Sequence, residues 1–461
     1  EDELQSGLHA AFQNQTIIPV FCAAAQQNIG TKRIMDFIAT YGSSPLDRPK
    51  LTAVDGDGKE AGEISLDDPN PTLYVFKTVS EAHLGDLSFF RVISGKVSAG
   101  MDLYNITRRK NERIGQLLLF NGKNRTSVDE LSAGDIGTTV KLKDTHSGDT
   151  LGDSKSELIV PPCHFPTPSL HFAIKPKSKS DEDKIGVGLA TLHGEDPAFE
   201  YWVDRDVKQT MIAGQGELHL QIAVEKLKRR FNVEVDIEAP RIPYRETVRG
   251  KGDSKYRHKK QTGGAGQFAE VWLTVEALPR GSGVEFTQTL VGQNVDRTFV
   301  PSVEKGVMAM CESGVIVGCR VVDVKATFYD GKQHPVDSKD IAFQIAGRGA
   351  FKEAFLAAKP CLLEPIYNIT VKVPEEYMGA VMGDVSGRRG KILGMDAEGK
   401  FQIVKAQVPE ADLYQYATTL RSITGGRGIY KREFSHYAEM PKELEAKVIA
   451  AAKEDREEKE E

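Results

Sequence analysis

A chain of 461 residues with a net charge of −6 is too long for one hydrophobic core and implies roughly three to five domains. Its composition, 40% hydrophobic and 27% charged, is that of a soluble globular protein; no apolar run reaches the ~20 residues that cross a bilayer, and no signal peptide opens the chain. Cys22, Cys163, Cys311, Cys319 and Cys361 are odd in number and lack metal-ligand spacing, which reads as reduced thiols in a cytoplasm.

Residues 1–48 read as helix, strand, helix. Leu4, Leu8 and Phe12 recur at helical spacing, Thr16–Cys22 is a buried-strand candidate, and Ile34, Phe37, Ile38 and Tyr41 form a second helical face. Together they resemble the closing piece of an α/β domain, and with no initiator Met the chain reads as a fragment. Residues 49–71 are rich in Pro, Gly and Asp and read as a linker. Residues 72–165 change character. Short apolar-alternating runs (Leu73–Phe76, Leu87–Ile93, Met101–Ile106, Ile114–Phe120, Ile136–Leu142) are divided by turns such as Asn121-Gly122. That spacing predicts a small β-barrel.

Residues 166–242 read βαββαβ, with Ser180 placed to cap the first helix and Leu220, Val224, Leu227 and Phe231 on one face of the second. Residues 364–440 repeat the order. Two ferredoxin-like units are therefore expected to flank a central α+β domain at 243–363. Residues 441–461 read as an amphipathic helix fraying into a charged tail. The overall class is multidomain, mixing α/β and all-β parts.

Charge is distributed unevenly: Arg249–Lys260 is strongly basic and Glu454–Glu461 mostly acidic. The basic run leads into Gln261-Thr-Gly-Gly-Ala-Gly-Gln-Phe268, where glycines permit positive φ and close backbone approach. Arg257, Lys259 and Lys260 suit phosphates, and His258 adds hydrogen bonds; taken alone, the loop reads first as an ordinary exposed hairpin. A second polar loop, Asp330-Gly-Lys-Gln-His-Pro-Val-Asp337, precedes a long helix over 338–358 whose Ala342, Ala346, Ala350 and Ala354 make a small-residue stripe. If that helix starts at Ser338, both loops can sit at one end of the domain. The basic Gly383-Asp-Val-Ser-Gly-Arg-Arg-Gly390 suits either an RNA backbone or a solvated helix end.

Enzyme chemistry is not visible. The sequence holds no G-x-x-x-x-G-K-[ST] loop, no Asn-Lys-x-Asp, no HExxH, no GxSxG and no Cys/His cluster. No catalytic residue and no metal ligand is assigned. Glu217 and His219 lie on different helix faces and read as packing and capping groups; Asp384 and Arg388 read as an i,i+4 surface pair.

The motifs taken together resemble the elongation factor G family. Phe89-Phe-Arg-Val-Ile-Ser-Gly95, Gly134-Asp-Ile136, Leu142-Lys-Asp144 and Gly148-Asp-Thr-Leu151 look like the translation-factor barrel, domain II. Glu195-Asp-Pro197, Gly216-Glu-Leu-His-Leu220, Arg230-Phe-Asn232 and Tyr244-Arg-Glu246 resemble domain III and its junction. Gly263-Gly-Ala-Gly-Gln267, Val336-Asp-Ser338, Ala350-Phe-Lys-Glu353, Lys359-Pro360, Leu363-Glu-Pro365, Gly383-Asp384, Arg388-Arg-Gly390 and Leu420-Arg-Ser422 resemble domains IV and V. The resemblance covers nearly the whole chain and implies the end of a GTP-binding domain followed by domains II to V of a ribosomal translocase.

It further implies a domain IV wedge behind transfer RNA, with Lys259, Lys260, Gln261, Gly263, Gly264, Gly266, Gln267 and His334 as RNA-binding tip residues, and Arg388 and Arg389 as contacts to large-subunit RNA. Ala24 and Ala25 fall on the family's guanine-contact turn. The implied partners are ribosomal RNA and the tRNA–mRNA complex, in the cytoplasm, with the protein monomeric and no membrane involved. No cofactor is implied for this chain; GTP and Mg2+ are implied for a full-length parent. The chain departs from the family at Ala24 (usually serine), at Ala265 (commonly arginine) and at Gln333 and Pro335 (often tyrosine and aspartate), which suggests a divergent paralogue. A ribosome-protection or rescue factor shares the architecture and is the alternative reading.

Overall fold

The computed structural model describes residues 2–48, 50–81, 85–260 and 266–460, which fall into two compact units: 1–167 with 178–200 and 223–234, and 168–177 with 201–222 and 235–461.

The first unit opens with helices Asp2–Gln13 and Thr31–Tyr41, packed through Phe12 against Phe37. The strand expected at Thr16–Cys22 is not formed, and Ile18 and Val20 are exposed. A strand exists only through a hydrogen-bonded neighbour, and among the described residues none lies beside this stretch. The expected linker is also structured. Lys50–Val54 and Glu60–Ser65 form an antiparallel hairpin, and Ala53 and Ile64 build a small core with Val160. Its Gly and Asp residues are turn chemistry inside a hairpin, which composition does not distinguish from a tether.

The β domain that follows is an eight-stranded sheet accompanied by a two-stranded ladder. Both wrap one core: Leu73, Val75, Phe90, Val92, Leu103, Leu117 and Leu151 come from the sheet, Val97 and Leu131 from the ladder. Alternation of buried and exposed residues aims each strand's apolar face inward. At Gly137 a Cβ would lie 2.2 Å from the Leu131 side chain and 3.1 Å from Phe90, so the wrapped core admits no side chain there. Helix Lys179–Glu195 also belongs to this unit. It starts earlier than a Ser180 cap implies. Arg230 bonds Glu195 at 2.7 Å, and the two grip the Ser80 backbone from both sides, Arg230 through its carbonyl and Glu195 through its N–H.

In the second unit, strands Leu170–Pro176, Glu200–Asp204, Gln209–Gly214 and Val235–Glu238 make a four-stranded sheet with the first strand second from one edge, and Pro360–Pro374, Lys391–Glu398, Phe401–Pro409 and Ile429–Glu439 repeat that order. This is the ferredoxin-like strand order. The opening strand of the second sheet is 15 residues long and also pairs with Arg245–Val248. The junction expected between 363 and 364 therefore lies inside one continuous strand; Pro365 is accommodated beside a bulge at Ile366/Tyr367. The C-terminal helix runs Lys442–Glu460, further into the acidic tail than expected.

The central α+β domain is a four-stranded mixed sheet in the order Lys251–Lys260, Gln267–Ala277, Val324–Lys332, Val284–Gln288, the last pair parallel. Helices Val300–Ser313 and Asp340–Ala357 share one core with it, containing Val271, Leu273, Val303, Phe328, Phe343, Phe351 and Phe355. The alanine stripe is wholly buried. It lets the helix approach closely: a Cβ at Gly252 would lie 2.0 Å from the Ala354 carbonyl.

Candidate nucleic-acid interface

Three strand termini of the central domain lie at one end of its sheet. Strand pairing brings Lys260 opposite Gln267 and Glu270 opposite Lys332, so the end of Lys251–Lys260, the start of Gln267–Ala277 and the 333–339 connection share that end. The 333–339 connection is stitched to strand Gln267–Ala277: Phe268 N–H donates to the Asp337 carbonyl at 3.0 Å, and Ser338 Oγ donates to the Phe268 carbonyl at 2.7 Å. The His334 ring stands 6.1 Å from the Phe268 ring. A side chain at Gly266 would meet the Asp337 carboxylate at 2.8 Å, which accounts for glycine at that position.

His334 is held in one orientation. Its backbone N–H donates to Ser338 Oγ at 2.8 Å, and its Nδ1 accepts from Val336 N at 3.3 Å and Asp337 N at 3.2 Å. A ring nitrogen that accepts carries no proton, so Nε2 bears the N–H. The side chain is half exposed, leaving that donor for an outside acceptor. Lys259 and Lys260 are exposed at the strand end, and Gln267 is fixed by His258, whose Nε2 lies 2.9 Å from its Oε1. Gln261, Gly263 and Gly264 lie outside the described residues.

A third segment reaches the same end and was not legible in the sequence as a site. Asn294 donates to Asp330 at 3.2 Å, and Asp296 N–H donates to Gln333 Oε1 at 2.8 Å. Val291, 85% exposed, lies just before them in the chain. The signal available was the Val-Gly-Gln-Asn turn with a solvent-facing Val, too short to separate from any loop.

Four family descriptions match the chain in order: elongation factor G domain 2 over 70–154, domain III over 165–239, domain IV over 240–359 and the elongation factor G C-terminus over 361–448. A solved crystal structure from Thermus thermophilus is similar at 33% identity and a TM-score of 0.77, over 98% of this chain and 66% of that one. The chain belongs to the elongation factor G family. The apex of loops is thus the end of its domain IV, and the chain spans about two thirds of the solved relative.

Arg388 and Arg389, read as contacts to RNA from domain V, are engaged within the fold. Arg388 bonds Asp384 at 2.9 Å, the Asp412 carbonyl at 2.6 Å and Thr419 at 3.1 Å, and its guanidinium lies over the Tyr416 ring. Arg389 makes a two-pronged pair with the buried Glu364 at 2.7 and 2.9 Å and a further bond to Asp412. The Asp384–Arg388 surface pair is therefore a half-buried node, because the helix end is pressed against Tyr416. These arginines hold domain V together, and few of their donors are left for an external phosphate.

The turn at Ala24 and Ala25 is present. Ala24 exchanges both backbone bonds with Ile29, and Ala25 opens a short 3-10 turn. Such a turn can present backbone to one edge of a base. It supplies no phosphate-binding group. His219 Nδ1 accepts from Gln215 N just before its helix at 3.1 Å, a capping role. Among the described residues no cluster of His, Cys, Asp and Glu could hold a metal ion, and no helix is long and apolar enough to cross a membrane.

Proposed function

We propose that this chain is the ribosome-engaging arm of a translational GTPase that moves the tRNA–mRNA complex, with the domain IV apex entering the decoding side. The observation that supports the reading is the meeting of Phe268 with the 333–338 connection at one end of the α+β domain. Exposed Lys259 and Lys260 beside an oriented His334 donor form a surface suited to a phosphodiester backbone. Domains II, III and V carry that wedge. The motor of the full-length protein would use GTP and Mg2+ to gate rigid-body domain motion. The proposed setting is the cytoplasm, with the protein acting as a monomer on ribosomal RNA.

The reading is tested in the full-length parent. Lys259→Ala with Lys260→Ala should weaken ribosome binding and flatten its salt dependence by about one to two phosphate contacts. His334→Ala should leave binding intact and slow tRNA movement. Equal loss of binding in both variants overturns the division of roles. If translocation is absent, but the protein relieves inhibition by a tetracycline, the family's ribosome-protection activity replaces this reading.

A further inference from the structure

The domain IV sheet has two faces, and its two helices cover only one. Along Lys251–Lys260 the side chains alternate, with Gly252 and Ser254 buried and Lys251, Asp253, Lys255, Arg257 and Lys259 exposed. Across the sheet, Lys255 pairs with Trp272 and Arg257 with Glu270. Trp272 and Tyr329 are half-buried on this outer face, with ring centroids 6.1 Å apart. The Lys255 ammonium lies 4.1 Å from the Trp272 ring centre. Glu270 organises the group: it accepts from Trp272 Nε1 at 2.9 Å and from Arg257 Nε at 2.7 Å. It takes only one nitrogen of Arg257, whose side chain stays 58% exposed.

We propose that this outer face is a second RNA-binding surface, taking a short single-stranded segment with a base on Trp272 and its phosphates on Lys255, Arg257 and Lys259. Charge decides the class of occupant. Around Trp272 and toward the loops, Lys255, Arg257, Lys259 and Lys332 face Asp253, Glu270 and Asp330, and Asp253 is taken up by the Tyr329 hydroxyl. Glu270 is already paired with Arg257, and Asp330 with Asn294 and the Gly331 N–H. The net field is positive. A planar aromatic flanked by cations on an open sheet matches how unstacked bases are held, and a duplex presents no base face to it. An exposed cation–π contact is weaker than a base–aromatic stack. The base therefore displaces Lys255, whose ammonium moves to the adjoining phosphate.

The inference goes beyond the proposed function, since binding a short oligonucleotide requires neither ribosome nor GTP; either can fail alone. The chain has two tryptophans, Trp202 and Trp272, so Trp202→Phe leaves Trp272 as the sole reporter. A ten-nucleotide oligoadenylate should quench its fluorescence saturably, with affinity falling as salt rises. By anisotropy of the labelled oligonucleotide, at a temperature where circular dichroism shows each variant folded, Trp272→Ala should bind about tenfold more weakly and Trp272→Phe within about threefold. Absence of quenching, unchanged binding by Trp272→Ala, or equal quenching by duplex RNA of the same length would overturn the proposal.

Discussion

Ser338 Oγ donates to the Phe268 carbonyl at 2.7 Å while accepting the His334 N–H at 2.8 Å. One hydroxyl thus ties two segments 70 residues apart and fixes the loop that carries the apex histidine. Replacing it by alanine removes a donor and an acceptor at once. Ser338→Ala should cost about 1 kcal/mol in urea denaturation. Amide exchange should rise selectively at His334, Val336 and Asp337.

Glu246 is fully buried, and its carboxylate accepts from the successive backbone N–H groups of Val315, Ile316, Val317, Gly318 and Cys319, at 2.6–3.1 Å. The loop after helix Val300–Ser313 folds around this one side chain. Glu246→Ala strands the buried Val315 donor and four part-buried ones, and a loss on the order of 3 kcal/mol is expected by chemical denaturation. Glu246→Gln keeps one acceptor oxygen but places an amide donor among N–H groups, so it should fall between parent and Ala. A loss under about 1 kcal/mol for Glu246→Ala would show that water replaces the carboxylate.

Arg389→Ala should act on stability before it acts on RNA. It leaves Glu364, 4% exposed, without its two-pronged partner. Breaking a buried pair costs about 3 kcal/mol, less here because Arg389 is about one-third exposed. Thermal melting should register the loss, and Arg389→Lys should restore only part of it, since an ammonium cannot make both bonds in one plane.

Acid sensitivity is expected from His171, which lines a cavity of about 160 Å³ with Trp202, Asp204, Glu410, Tyr416 and Arg432. Burial, then the neighbouring Arg432 charge, pushes the imidazole down to about 3 from its ordinary 6.5. The unfolded chain takes up that proton below about pH 6.5 while the native state resists it. Stability from this group should therefore be complete above about pH 6.5 and decline toward about pH 3. Glu410 is pushed upward by burial, against the lowering effect of Arg432, and contributes with the opposite slope. The difference between the parent and His171→Phe isolates the imidazole. Denaturation curves at about pH 7 and about pH 4.5 should show the parent losing more on acidification; equal losses would refute the buried neutral imidazole.

Much of the molecule was readable in one dimension. Alternation at Val271, Leu273 and Val275 and the alanine stripe at 342–354 announced a sheet and a helix that pack, since period and residue size are local properties. The two βαββαβ orders were legible for the same reason, and the ordered motifs pointed to the family. What the chain alone left open were relations between distant residues. Whether Gln267 and His334 share an apex depends on Ser338 reaching Phe268. Whether Arg389 is a phosphate contact or the partner of Glu364 depends on which donors packing leaves free. Thr16–Cys22 has the composition of a strand and lacks, among the described residues, the neighbour that would make it one. Trp272 reads as one more alternating apolar residue until folding sets Lys255, Tyr329 and Glu270 around it on the face the helices do not cover. Sequence determined which elements form, because the periodicity of burial is written along the chain; tertiary structure decided which polar groups remain unsatisfied and exposed, because hydrogen-bond partners are assigned only when separate segments meet.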